Sequence, residues 1–163
     1  MIFFTADTHF NHRNIFDYCK RGFKSCEELN KFIIKNWNER VEKSDTVYHL
    51  GDFGLGSLKE LSQIRNQLNG RIILIEGNHD ACISKDKWID IIKIDEYVTE
   101  LEFPKFYLRH HPPPSPRHKI CLCGHVHNHW ERNESLKSIN VGIDVRSLKP
   151  VSYPEILYLL KFH

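Results

Sequence analysis

A chain of 163 residues, 40% hydrophobic and 27% charged, is long enough to bury a core without covalent staples and too apolar to be disordered. Its net charge of +2, with both signs interspersed and no basic run, argues against a stable nucleic-acid complex, and no apolar stretch approaches a membrane span. Five cysteines in no disulfide pattern, and a start without the basic and apolar regions of a signal peptide, read as reduced thiols in a cytoplasmic protein.

Residues 2–6 are an apolar run too short for a helix and read as a strand. Residues 25–41 read as a helix: Ser25 and Glu28 form a capping box, and Leu29, Phe32, Ile33, Trp37 and Val41 fall on one face. Residues 46–50 are β-rich. Ser57 and Glu60 form a second capping box, opening a helix that turns Leu58, Leu61, Ile64 and Leu68 inward and stops at Asn69-Gly70. Residues 71–75 are apolar in the manner of a buried parallel strand. The first half is therefore β-α-β-α-β with right-handed crossovers. Beyond it come a short helix near 86–92, strand-like pieces at 97–103, 106–109, 119–123 and 138–141, and a proline-rich loop at 110–119. Ser152 and Glu155 cap a last helix, with a strand over 156–162 as the alternative. No repeat or linker divides the chain, so one domain over residues 1–163 is expected.

Five clusters of metal-binding residue types follow these strands in order. They are Asp7-Thr8-His9, Gly51-Asp52, Gly77-Asn78-His79-Asp80, His110-His111 and Gly124-His125-Val126-His127. Eleven histidines is a high count for this length, and these clusters hold many of them. Strand ends are where an α/β domain gathers sequence-distant side chains. Carboxylates, an amide carbonyl and imidazoles together make a mixed oxygen and nitrogen site for two divalent cations, the kind that activates water against a phosphoryl group. Asp7 and His9, two apart, would point the same way on a regular strand, and right after a strand end that spacing allows both to bind one cation. The two oxygens of Asp52 allow it to bridge two cations. His79 can donate a proton, and Asp80 can fix that imidazole's orientation. His125 and His127 can serve one cation each or share one, and His110 or His111 completes the set.

The order Asp-x-His, Gly-Asp, Gly-Asn-His-Asp, His, Gly-His-x-His resembles the calcineurin-like metallophosphoesterase superfamily over essentially the whole chain. The strings at 8–15 and 45–53, with Asn140 to Asp144 and Pro150 to Ser152, look like its small single-domain bacterial and phage members. The resemblance implies a four-layer αββα sandwich, two mixed β-sheets flanked by helices, with a dinuclear centre at one sheet edge. It implies Asp7, His9, Asp52 and His127 on one cation, and Asp52, Asn78, His125 and His110 on the other. His110 is chosen over His111 because the family's ligand stands two residues before a proline, here Pro112. It also implies in-line attack on phosphorus by water activated between the cations, with His79 as general acid and Asp80 behind it. Catalysis would then fall to His79, Asp80 and Asp52. Mn²⁺ is the first choice of cation, and Fe, Zn²⁺, Ni²⁺ and Co²⁺ suit the same donors. The implied substrate is a small phosphomonoester or phosphodiester, nucleotides included. The alternative is the same fold kept as a binding scaffold with little catalytic activity, which the complete ligand set disfavours. Candidates for gripping the phosphate are His12, Asn14, Arg21 and Arg146, with Arg109 as a further one, since an arginine can hold phosphate oxygens bidentately; the alternative for Arg21 and Arg146 is a surface ion pair.

Cys121 and Cys123 lack the spacing of a zinc finger and read as two thiols on one face of a buried strand, while Cys19, Cys26 and Cys82 read as semi-buried. His49 reads as a core residue, Trp37 and Trp88 as helical core, and Trp130 as an edge of the pocket. His118, His129 and His163 are expected to face solvent.

Overall fold

A parallel strand between two packed layers has to be apolar on both faces. β1 (Ile2–Thr5), β2 (Thr46–His49) and β3 (Arg71–Ile75) meet that condition in the computed structural model, which describes residues 1–161. They pair in parallel, β4 (Glu96–Val98) joins β3 in the same sense, and β10 (Val151–Ser152) closes the other edge antiparallel to β1. The second sheet runs in the order β5 (Leu101–Glu102), β6 (Phe106–Leu108), β7 (Ile120–Cys123), β9 (Ser138–Asn140) and β8 (Arg132–Asn133). Its three middle strands are parallel and its two edges antiparallel. Both sheets are therefore mixed and five-stranded.

Strand alternation assigns the layers. Phe3, Val47, Ile72 and Leu74 face Leu29, Ile33 and Trp37 of α2 (Cys26–Asn38) and Leu61 and Ile64 of α3 (Leu58–Arg65). Phe4, Leu50 and Ile75 face the other way, into a second core shared with Phe106, Leu108, Leu122 and Ile139. The sheets thus close face to face, and Phe4 is the hub of that seam, its ring 5.6 Å from those of Tyr48 and Phe106 and 5.8 Å from Phe103. The outer face of the second sheet carries a small apolar cluster of Tyr107, Cys121 and Cys123, with Trp130 packed against them. Cover is heavy and helical on the first sheet and thin on the second.

Local chemistry explains the helix starts. Ser57 with Glu60, and Ser152 with Glu155, form reciprocal capping boxes for α3 and α5 (Tyr153–Leu160). At α2 the box is offset: Ser25 accepts from Glu28 N–H, but the Glu28 carboxylate takes the N–H of Lys24. Phe32, expected on the inward face, is 41% exposed and leans on Phe23 at the border of that face.

Residues 97–103, expected as one strand, are two. β4 ends at Val98, the exposed pair Thr99-Glu100 carries the chain across, and β5 joins the other sheet. The apolar spacing hides the break because Tyr97, Val98, Leu101 and Phe103 all find apolar neighbours, in different layers. The helix over 85–92 begins as α4 (Lys85–Lys87) and becomes a π-helical turn at Trp88–Ile92, stopped by Lys93 at φ 72°. α1 (Ile15–Cys19), β8 and β10 are too short to show a period. Helix prevails over strand across 153–160; Phe162 and His163 lie outside the described residues. All five cysteines are unpaired, Cys19 buried and Cys82 exposed. Among the described residues no helix is long and apolar enough to cross a membrane.

Replacing Phe4 by Ala should cost about 3–5 kcal/mol of stability, since the cavity would open where the sheets meet. Denaturant unfolding of the variant measures this, and a loss below about 1 kcal/mol would contradict the seam as described.

Candidate metal centre

Every ligand cluster leaves the C-terminal end of a parallel strand: β1, β2 and β3 in one sheet, β6 and β7 in the other. The sheets are tied at this end, where Ala6 bridges Gly142 just beyond β9 and Ile143 N–H donates to Ala6 O. Past Thr5 the chain leaves β geometry. Asp7, His9 and Asn11 take φ of 57°, 48° and 61°, Asp52 takes 58°, and His125 and His127 take 70° and 47°. A left-handed backbone outside glycine costs about 1–2 kcal/mol per residue. Hydrogen bonds between clusters hold it: Asp7 N–H to Gly51 O and His9 N–H to Asp52 O, both 3.0 Å. Asp7 and His9 stand just past the strand end, as their position in the sequence implies, and repeated left-handed residues present both side chains there. Close approach explains the glycines. A Cβ on Gly77 would lie 2.4 Å from Asp52 N and Oδ1, and one on Gly124 would lie 2.7 Å from Asp7 Oδ2.

Asp52 stands at the middle. Its Oδ2 is 3.4 Å from His9 Nε2 and 3.5 Å from His110 Nε2, while Oδ1 accepts the N–H of His79 at 3.0 Å. His110 Nδ1 donates to Leu50 O at 2.7 Å, and a carbonyl can only accept, so Nε2 carries the ring's lone pair. That lone pair faces Asn78 Oδ1 at 3.1 Å as well as Asp52. His127 Nδ1 is held in the same way, donating to Asp144 Oδ2 at 2.9 Å. His9 Nε2 is buried and has no hydrogen-bond partner among the described residues. Acceptors aimed at acceptors in a dry pocket make poor hydrogen-bond partners and good cation ligands, so the donor set fits divalent metal. Asp7 completes it from the other side, its carboxylate taking His125 N–H at 2.9 Å and grouping with His9 and His127. The rings of His9 and His127 are 5.0 Å apart, those of His110 and His125 5.2 Å. His111 is exposed, its ring 4.1 Å from His125.

A sequence model of the calcineurin-like phosphoesterase superfamily domain matches residues 1–153, a span that takes in every one of these clusters. The chain belongs to that superfamily. An uncharacterised protein of Methanocaldococcus jannaschii is 39% identical over 170 residues, covering 98% of this chain and 91% of its own. The gene 66 protein of Mycobacterium phage L5 is 35% identical over 81 residues, covering 48% of this chain and 39% of its own. The crystal structure of a protein of unknown function from Aquifex aeolicus superposes with a TM-score of 0.72 at 28% identity over 98% of each chain. Superfamily membership and the buried His and Asp cluster make this a metal-dependent phosphoesterase domain.

Around the cluster the structure reassigns several residues. Arg21, expected to grip phosphate, is buried and committed. It holds both oxygens of Asp144 at 2.8 and 2.9 Å and the backbone oxygens of Thr8 and Asp7 at 2.8 and 2.6 Å. It is a clamp that fixes the first cluster to the carboxylate behind His127. Asp80 does not back His79. Its carboxylate accepts the N–H groups of Asp52, Phe53 and Gly77, sewing the second cluster to the third. Arg146 gives Nε and Nη2 to Asn140 O and lines a separate groove of about 700 Å³ with Arg40, Lys149, Glu155 and Tyr158. Asn14 is exposed at the start of α1. His12 lies at the centre, 3.0 Å from His9. His49 is buried against Thr8 Oγ1. His118 and His129 are exposed, and Trp130 sits on the far face of the second sheet rather than over the cluster. Asp144 had no role assigned from the sequence. The available signal was its place four residues past a strand, where the ligand clusters also stand.

The electrostatics make protons the competitors of a cation. Burial pushes the Asp7 carboxyl up to about 7, against the charge of His127. Burial pulls His127 down, but its hydrogen bonds with Asp144 and Cys19 and the charge of Asp7 prevail and carry it up to about 10. Burial lowers His9, and lowers His110 to about 4, so both offer a neutral ring near neutrality. A divalent cation such as Mn²⁺ would therefore have to displace protons from Asp7 and His127 below about pH 7 and from His127 alone above it. Affinity should rise with pH throughout, more steeply on the acid side. Calorimetric titrations between about pH 5.5 and 8.5 check this, and a pH-independent affinity would contradict it.

Proposed function

We propose that this protein hydrolyses a phosphodiester or a phosphomonoester, nucleotides included, with two divalent cations at the strand ends. The observation that supports this most is the Asp52 carboxylate, with one oxygen 3.4 Å from His9 Nε2 and 3.5 Å from His110 Nε2. One cation would take Asp7, His9, Asp52 and His127, the other Asp52, Asn78, His110 and His125. Two bound cations supply an activated water and neutralise the phosphoryl oxygens. Mn²⁺ is the first candidate, and Fe, Zn²⁺, Ni²⁺ and Co²⁺ suit the same donors.

The chain's own residues supply placement and a proton. His79 is 36% exposed in its side chain, with Nε2 3.9 Å from Asp52 Oδ2, so it stands at the mouth of the cluster rather than within it. From there it can protonate a departing alkoxide, and its backbone bond to Asp52 Oδ1 keeps acid and bridging carboxylate in register. Asp80 sets the loop that carries His79 by holding three N–H groups around it. Asn78, His111 and His125 are exposed along the rim, which favours an open site able to admit an ester with two substituents.

Rates on bis(p-nitrophenyl) phosphate and p-nitrophenyl phosphate with added Mn²⁺ test the reading. His79→Ala should slow turnover by about 10²–10⁴-fold, and Asp52→Asn or a chelator should abolish it. Wild-type protein no faster than these variants would move the reading to a binding scaffold, and the ratio of the two substrates separates diesterase from monoesterase.

A further inference from the structure

His12 is outside the set offered to the cations, yet its ring is built into the cluster. The centroids of His9, His12 and His79 form a near-equilateral triangle with sides of 5.0, 5.2 and 5.3 Å. Within it, Nδ1 of His12 lies 3.0 Å from Nδ1 of His9. Two imidazole nitrogens in contact share one proton, so one donates and the other accepts. The far side of His9 decides which. His9 Nε2 is buried, unpartnered among the described residues and directed at Asp52. A nitrogen that binds a cation gives up its lone pair, which leaves the His9 proton on Nδ1. His12 Nδ1 must then accept it, and a neutral His12 carries its own proton on Nε2. The other inward rings follow the same rule, with Leu50 O and Asp144 as the acceptors of His110 and His127. In His9 alone that acceptor is itself a ring with a second nitrogen.

We infer that His12 is a positioning residue for His9, and that the tautomer imposed on it aims an Nε2–H donor at a phosphate-ester oxygen beside His79. The inference rests on reading the cluster as a cation centre. It links metal occupancy to substrate grip through one proton: the cation sets the His9 tautomer, and His9 sets that of His12. Arg21 and Arg146, two of the arginines expected to hold phosphate, are engaged with Asp144 and with backbone oxygens, which favours a neutral donor near His79 for that task.

Two variants of the full-length protein separate the halves of this statement. His12→Ala removes both nitrogens. His12→Asn keeps an acceptor, Oδ1, near the place of Nδ1 and removes the Nε2–H. Mn²⁺ affinity, read by calorimetry without substrate, should fall about 10–100-fold in His12→Ala and stay within about threefold of wild type in His12→Asn. At saturating Mn²⁺, kcat/KM for bis(p-nitrophenyl) phosphate should still fall about tenfold or more in His12→Asn, the worth of one hydrogen bond to a charged oxygen. Wild-type affinity in His12→Ala, or equal losses of affinity in the two variants, would overturn the positioning role. Undiminished kcat/KM in His12→Asn would overturn the donor. Wild-type protein that binds no Mn²⁺ would remove the centre and this role with it, whereas wild-type binding beside an indifferent His12→Ala would remove the role alone.

Discussion

At the strand ends the acceptors His110 Nε2, Asn78 Oδ1 and Asp52 Oδ2 meet at 3.1 and 3.5 Å, with His9 Nε2, unpartnered among the described residues, 3.4 Å from Asp52. Lone pairs facing lone pairs repel, and the burial of Asp52 and His110 leaves little to screen them. A fold that holds them together must spend stability gained elsewhere, and only positive charge between them turns the arrangement favourable. Much of what is unusual in this chain follows from that constraint. The imidazoles are pinned through their outer nitrogens to His12, Leu50 O and Asp144. The backbone turns left-handed at the ligand residues so that short side chains reach inward. Glycines stand where a methyl group would collide with Asp7 or Asp52.

The two cores supply the offsetting stability. Helices α2 and α3 bury one face of the first sheet, and the second sheet buries the other around Phe4 and Phe106. Parallel strands matter because they deliver successive clusters to the same end, three from one sheet and two from the other. The charged pair Arg21 and Asp144 then crosses between them. It is buried, and its worth lies in fixing where His127 and the backbone of Asp7 and Thr8 stand. Asp80 does the same for the second and third clusters with a carboxylate that burial pushes up to about 7, despite three N–H donors.

What the sequence made legible was what has a period or a short-range chemistry. The apolar runs of β1 to β3, the capping residues of α2, α3 and α5, and the ligand clusters at strand ends all fall in that class. Illegible were the features set by distant partners. Nothing near Arg21 announces a carboxylate 123 residues away, so it reads as a surface phosphate binder. Asp80 beside His79 reads as that ring's partner until the fold shows three backbone donors closer at hand. The break between β4 and β5 is invisible because apolar alternation is indifferent to which sheet it feeds. His12 reads as a phosphate contact from position alone, and its link to His9 needs three left-handed residues between strand and helix, Asp7, His9 and Asn11, that no local pattern specifies.

The proposed two-cation centre stands on Asp52, whose carboxylate would serve both cations. Diffraction from Mn²⁺-soaked crystals at the manganese absorption edge measures this directly. It should show two anomalous peaks about 3.5–4 Å apart, each within bonding distance of an Asp52 oxygen. A single peak, or two peaks of which only one touches Asp52, would contradict it.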